Sequence, residues 1–308
     1  MVSRTTLVGA LVVAELAIIG MAAQAIAGDG PLPAGPFAFD RSAGWTHQGM
    51  SDVADKSFVT GPLPHVVVDV NDVHVIVQAA STLSVRVVSR THKHGWVSGD
   101  LPPVVAVQTP DGVRVSARPG GDHLVLGFLE REVQITVPPT ARVDVASAER
   151  VDASGLRSKL VAHIVEGPIY VRDHRGDVDV SCAEGRIVLT DVQGTDIAAN
   201  TRDGRLLFTR VGADRIDAVT NSGRIAAVDL RALDGALLTH DGRVSVSFTG
   251  DSDAIVNVRT GHGKIHTAGL STVDGTDRQS TVRLGSGRSR FEVSSADDSI
   301  TLTQGASV

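Results

Sequence analysis

Aromatic side chains are scarce in this chain, with two Trp, one Tyr and seven Phe among 308 residues. A core must therefore be filled from Val, Ile, Leu and Ala, which suits stacked strands. Cysteine is rarer still. Cys182 stands alone, so no intrachain disulfide can form and cysteine usage does not report the redox compartment. Its simplest role is a small buried thiol packed as a hydrophobe. Positive charge is not in excess: the net charge is −6 and the isoelectric point about 6.0, which excludes a global pull toward nucleic acid. Common enzyme signatures are missing too. There is no Gly-x-Ser-x-Gly elbow, no Gly-x-x-x-x-Gly-Lys-Ser/Thr loop and no His-Glu-x-x-His. No Cys/His cluster has zinc-ligand spacing, so neither a metal nor a cofactor is expected.

What the chain does have is a repeat. Glu184-Gly185-Arg186-Ile187 returns as Asp203-Gly204-Arg205-Leu206, Ser222-Gly223-Arg224-Ile225, Asp241-Gly242-Arg243-Val244 and His262-Gly263-Lys264-Ile265. The Gly-to-Gly steps are 19, 19, 19 and 21 residues (204−185, 223−204, 242−223, 263−242). A fixed period of this size marks a repeat architecture. Apolar or small residues fall at odd offsets before Gly (Val180, Ala199, Ala218, Leu237, Val258) and at even offsets after it (Ile187, Leu206, Ile225, Val244, Ile265). Each half alternates with period two, as strands do, and the parity switch places a turn at Gly. A second turn is expected near Gly194, Gly212 and Gly235. A single coil cannot bury its own apolar edge, so coils must stack in parallel at about 4.8 Å. The expected fold is all-β: a parallel β-solenoid with coils of about 19 residues over 146–308. A β-sandwich or meander is the alternative. Three residues before Gly stand Cys182, Thr201, Thr220, Thr239 and Thr260, a column in which hydroxyls could bond to one another from coil to coil.

Upstream, residues 56–145 carry strand patterns such as Val66-Val68-Val70 and Val73-Val75-Val77 without the repeat step. Asn71-Asp72 between these runs predicts a tight hairpin. This all-β half is expected to cap or extend the solenoid. Residues 28–55, rich in Gly, Pro, Ala and Asp, read as a spacer. Before them, Arg4 precedes a nearly apolar stretch from Leu7 to Ala27, broken by Glu15 and Gln24. Residues 1–27 thus form a hydrophobic helix that is either a signal peptide, with Ala25 and Ala27 as the small cleavage-site residues, or a retained membrane anchor. Either role puts the remainder outside the cytoplasm, in the periplasm or at the cell surface. The end of the chain, from Arg290, reads as a last strand or two and a tail.

The run Val133-Gln134-Ile135-Thr136-Val137-Pro138-Pro139-Thr140-Ala141-Arg142-Val143-Asp144-Val145, leading into Val151-Asp152-Ala153-Ser154-Gly155-Leu156 and then Gly-containing repeats, resembles a large bacterial β-strand-repeat family. Its members carry the label "putative adhesin", and the domain has no assigned function. The resemblance spans roughly residues 56–290. It implies a secreted or membrane-anchored all-β protein and brings no catalytic residues. One departure is visible. The family's turn commonly reads Ser-Gly-Asp, whereas here the residue after Gly is basic in all five repeats; acidic turns remain only at Gly176-Asp177-Val178 and, imperfectly, at Gly194-Thr195-Asp196.

That basic column, Arg186, Arg205, Arg224, Arg243 and Lys264, is the candidate ligand-binding edge. Stacking would set like charges about 5 Å apart, so they call for counter-anions. Neighbouring Glu184, Asp203 and Asp241 could neutralise them. Otherwise the edge could hold an anionic glycan, lipid head groups, polyphosphate or another envelope protein, since guanidinium forks suit phosphate and carboxylate. His92 and His94, and His262 and His266, are the metal candidates by spacing; the second pair would lie on one strand face too far apart for one ion. Arg175-Gly176-Asp177 spells an adhesion tripeptide but falls where turn chemistry expects Gly between charges. The function expected is a non-catalytic envelope or surface scaffold of the adhesin kind. The alternatives are a carbohydrate-active β-helix enzyme using Asp191, Asp196, Asp214 and Asp229, and a membrane-tethered sensor of envelope stress.

Overall fold

The computed structural model describes residues 50–98, 102–117 and 124–305. The segment Leu7–Ala27, with its expected helix and its membrane role, lies outside the described residues. Among the described residues there is no helix, and all twenty strands share one hydrogen-bonded sheet. The reason is visible in the alternation. Val66, Val68 and Val70, then Val73, Val75 and Val77, are fully buried, while the residues between them are wholly or partly exposed. β-Branched side chains pack well on a pleated, half-buried surface.

The strands follow two largely parallel ladders. Along one, Gly112–Ala117, His65–Val70, Arg142–Ala146 and Leu160–Glu166 lie side by side, and Leu160 pairs with Val178. Along the other, Leu124–Val137 is followed by His74–Ala79, Arg150–Ser154 and Ile169–Arg175, and Ile169 pairs with Ile187. The step is 18 residues here (178−160, 187−169). It becomes 19 where Leu206 meets Ile225 and Thr220 meets Thr239 (225−206, 239−220). Side-chain parity switches at the repeat Gly: Val180 and Cys182 are buried before Gly185, Ile187 and Leu189 after it. Inward residues of both ladders join one core cluster. Each fully buried Ile or Leu in it contributes about 1.5–3 kcal/mol.

From Gly204 to Gly242 the repeat Gly is needed for closeness rather than for a left-handed turn, whereas Gly185 also has a positive φ of 145°. A Cβ on Gly204 would lie 2.0 Å from the Gly185 carbonyl oxygen, on Gly223 1.6 Å from that of Gly204, and on Gly242 1.8 Å from that of Gly223. None of these three has a positive φ. Left-handed bends fall on Asp173, Asp191, Arg210 and Asp229, at φ 46–56°, while Gly235 keeps a positive φ of 125° as expected of the second turn. Asp tolerates this region; Arg210 is the costly member. The second turn is therefore set earlier than Gly194 and Gly212 suggested.

The Thr column is in register, with Thr220 opposite Thr239 and Thr239 opposite Ser295. Its hydroxyls do not form the expected chain. Thr239 Oγ1 donates to the Gly223 carbonyl at 3.1 Å, Ser295 Oγ to that of Gly242 at 2.8 Å and Thr260 Oγ1 to that of Asp298 at 2.9 Å. Ser and Thr hydroxyls bond readily to nearby backbone groups, and these carbonyls stand on the neighbouring strands. Cys182, buried as expected, donates to Thr201 Oγ1 at 3.6 Å, and burial pushes its thiol pKa up.

The ends depart from sequence order. Gly112–Ala117 and Leu124–Val137 pack outside His65–Val70 and His74–Ala79, although they come later in the chain. Asn71-Asp72 is therefore no hairpin: the strands on either side of it belong to different ladders, each already paired on both edges. Met50–Val59 pairs antiparallel with residues 84–93, so a strand starts inside the segment expected to be spacer. At the other end, Ser289–Ser295 and Ile300–Gln304 form the two last strands expected, but not at the edge of the ladders. They sit between the coil of Gly242 and the coil of Gly263: residues 235–239 pair with 291–295, which also pair with 256–260. Val244 pairs with Ile300, which also pairs with Ile265. Asp253 fastens the returning loop, accepting hydrogen bonds from Ser286 Oγ at 2.9 Å, Gly287 N–H at 2.6 Å and Arg288 Nε at 2.5 Å. Arg288 first, with Ser286 and the two N–H groups, holds this carboxyl well below the usual range.

Candidate functional site

Arg186, Arg205, Arg224, Arg243 and Lys264 are all exposed. The ladder fixes their order. Leu206 N–H donates to the Arg224 carbonyl at 3.0 Å, Ile225 N–H to that of Arg243 at 3.1 Å, Val244 N–H to that of Ser299 at 3.3 Å and Ile300 N–H to that of Lys264 at 2.9 Å. Four arginines thus follow one another, and Ser299 separates Lys264 from Arg243. The expected five-residue column is interrupted because the inserted strand brings Ser299 into the slot.

The acids expected to neutralise this column are engaged elsewhere. Glu184 and Asp203 both bind Arg202, each at 3.0 Å, and Asp241 binds His240 at 2.9 Å. The guanidiniums of Arg205 and Arg224 have no ion pair or hydrogen-bond partner among the described residues. Arg243 has only a distant Asp298 at 3.9 Å. Pairing depends on which residue projects beside which, and Arg202 stands closer to both acids than the column does.

One end of the edge carries an aromatic platform. The Arg150 guanidinium lies 4.9 Å from the centre of the Tyr170 ring, and those of Arg172 and Arg186 lie 5.6 Å from it. Arg150 also binds Asp152 at 2.7 Å. The ring face attracts cations electrostatically, and three guanidiniums around one phenol gather donors for an anion. Spacing reasoning missed this group because Arg150 precedes the Gly-Arg repeats. The signal was Tyr170 itself, the only Tyr of the chain, at an outward position of its strand.

The other candidates are placed differently from one another. Asp191 receives two hydrogen bonds from Arg210, at 2.5 and 2.7 Å, and Arg210 stands between it and Asp229 in the column of left-handed residues. Asp196 lies close enough to Arg215 to act on its charge, and Arg215 binds Asp217 at 2.7 Å. Arginines thus stand beside Asp191, Asp196 and Asp229, and Asp214 is exposed. Asp177 of the Arg-Gly-Asp tripeptide accepts from the N–H groups of Thr195 and Asp196 at 3.3 and 3.2 Å, a turn-closing role. His92 pairs in the ladder with Glu130 and His94 with Phe128. His262 lies in a turn rather than on the face of His266, and its Nδ1 is 2.8 Å from Asp297.

No family model matches this chain, and no curated protein matches it. Solved structures do show similarity. A putative cell adhesion protein from Clostridium sporogenes ATCC 15579 aligns over 82% of this chain and 100% of its own, at 11% identity and a TM-score of 0.32. A putative adhesin from Bacteroides fragilis NCTC 9343 covers 82% of this chain and 97% of its own, at 12% identity and a TM-score of 0.42. A putative adhesin from Parabacteroides merdae ATCC 43184 covers 82% and 96%, at 10% identity and a TM-score of 0.47.

Proposed function

We propose that this chain is a non-catalytic, extracytoplasmic surface or envelope protein, built as a β-solenoid, whose row of arginines holds an anionic polymer. The observation that carries the reading is the unneutralised state of Arg205 and Arg224 beside acids that are already paired. Like charges about 5 Å apart raise each other's energy, and a ligand with regularly spaced carboxylates, sulfates or phosphates relieves this along the whole row at once. Tyr170 with Arg150, Arg172 and Arg186 supplies a flat face at one end, suited to a sugar ring that carries an acid group. The parallel register at steps of 18 and 19 residues supports the solenoid. The arginines interleaved among Asp191, Asp196 and Asp229 support a binding role over a hydrolytic one. The extracytoplasmic location rests on the apolar segment Leu7–Ala27.

The test is chromatography on an immobilised anionic polysaccharide. The wild type is retained and elutes with salt, and a variant with Arg205, Arg224 and Arg243 all changed to Gln flows through. Equal elution of both would end the reading. Running polyphosphate and anionic vesicles as competitors separates a glycan ligand from phosphate polymers and head groups.

A further inference from the structure

The insertion of the last strands assembles a second cluster, beside the Arg243 end of the arginine row. Asp297 N–H donates to the His240 carbonyl at 3.2 Å, and His262 N–H donates to the Ala296 carbonyl at 3.0 Å. Three consecutive levels of the ladder thus bring together residues separated widely in sequence: His240 and Asp241 from one, Asp297 from the next, His262 from the third. The ligand atoms of His240, Asp241 and Asp297 lie within 4.8 Å of one another. His240 Nδ1 is 2.9 Å from Asp241 Oδ1, and His262 Nδ1 is 2.8 Å from Asp297 Oδ1. All four side chains are exposed.

We propose that His240, Asp241, Asp297 and His262 bind one divalent first-row transition metal ion of the zinc class. Two carboxylates on adjacent levels repel one another, and each has an imidazole against it. Two imidazole nitrogens with two carboxylate oxygens form a donor set that suits zinc, copper or nickel; oxygen-seeking calcium and magnesium would not favour the imidazoles. Ligands at about 2.1 Å from a tetrahedral zinc stand about 3.4 Å apart. His240, Asp241 and Asp297 need shifts of roughly an ångström to reach that geometry, and His262, which contacts the group through Asp297, needs a larger one; exposed side chains on a hydrogen-bonded backbone can make both. Bound metal would tie the inserted segment to the levels on both sides, joining parts of the chain that no covalent link holds together. The site was hidden from sequence spacing because Asp297 comes from beyond the repeats. It shares no residue with the arginine row, so either proposal can fail alone.

The experiment uses the full chain without a histidine tag, at pH 7.5. Equilibrium dialysis against zinc should show one ion per chain, and cobalt substitution should give the visible absorption of a tetrahedral centre. Asp297→Ala and His262→Ala should each weaken zinc binding at least tenfold, with His92→Ala unchanged. Zinc should slow proteolysis of the segment 289–304 in the wild type and not in Asp297→Ala. Asp241→Asn, close to isosteric, serves as a second variant should Asp297→Ala disturb folding. Absence of zinc uptake by the wild type, or uptake that all these variants retain, overturns the proposal.

Discussion

The middle of the molecule and its two ends are built from the same strands but assembled differently. From Leu206 to Ser222, each residue paired with the next repeat meets it at one offset of 19, which holds on to Ala227 and slips to 18 only where Leu230 meets Phe248. At the ends, spatial order breaks with chain order: residues 112–117 and 132–137 pack outside 65–79, and residues 289–295 and 300–303 are threaded between the strands around Gly242 and those around Gly263. In the middle, identical residues form columns, and an edge of like charge results. At the ends, unlike residues are brought together, and the His/Asp cluster results. Repetition makes uniform surfaces, whereas insertion makes local sites.

The sharpest way to break the middle is to thicken its turn. Gly223→Val puts a Cβ where the Gly204 carbonyl oxygen is only 1.6 Å away, and the coils must separate. A loss of about 4 kcal/mol or more is expected in denaturant titration, the range reserved for severe packing faults. Gly61→Ala, with nothing within 4 Å of the added Cβ, should leave stability unchanged.

Core truncation should distinguish the regions next. Leu206→Ala and Leu302→Ala each remove a fully buried side chain and should each cost about 2–5 kcal/mol. The first should lower the main unfolding transition. The second should release the inserted segment first, so that hydrogen exchange in 289–304 becomes faster than in 225–246.

Acid should act at a third place. His174 is 1% exposed, and neither ring nitrogen makes a well-formed hydrogen bond, although the backbone of Gly176 and Asp177 lies near. Burial holds its pKa below the ordinary value. The unfolded chain therefore takes up a proton more readily, so the stability this group allows is present above pH about 6.5 and is lost as pH falls below that. His174→Val places there the residue found opposite it, Val192, and should flatten the decline below pH 6.5 in a thermal melt series. A variant that declines as steeply as the wild type would show that His174 is not the acid-sensitive group.

The smallest effect belongs to the surface pairs. Arg210→Lys keeps the charge beside Asp191 but loses the two-pronged contact, and no measurable change in Tm is expected for so exposed a pair.

Much of the middle could be read from sequence because a repeat turns each position into a column. The buried sets around Ile187, Leu206, Ile225 and Val244, and the exposed arginines beside them, follow from offset parity alone. The role of the glycines was less accessible, since close stacking and a positive φ select the same residue. The neutralisation of Glu184 and Asp203 by Arg202 depended on side-chain reach, which parity does not report. The ends were least legible. His262-Gly263-Lys264-Ile265 keeps the repeat signature, so nothing local announces that Ser299 stands between it and Arg243. The extra two residues in its step (21 against 19) were the only hint of the irregularity.

Threading of the last strands decides both where the arginine row ends and whether the His/Asp cluster exists. Paired cysteines test it most directly, because a disulfide needs Cα atoms closer than about 7 Å. Buried Cys182, with its raised pKa, should stay out of exchange. Arg243→Cys with Ser299→Cys should cross-link rapidly on mild oxidation, and Arg243→Cys with Lys264→Cys should not. Efficient bridging between positions 243 and 264, with none between 243 and 299, would contradict the account.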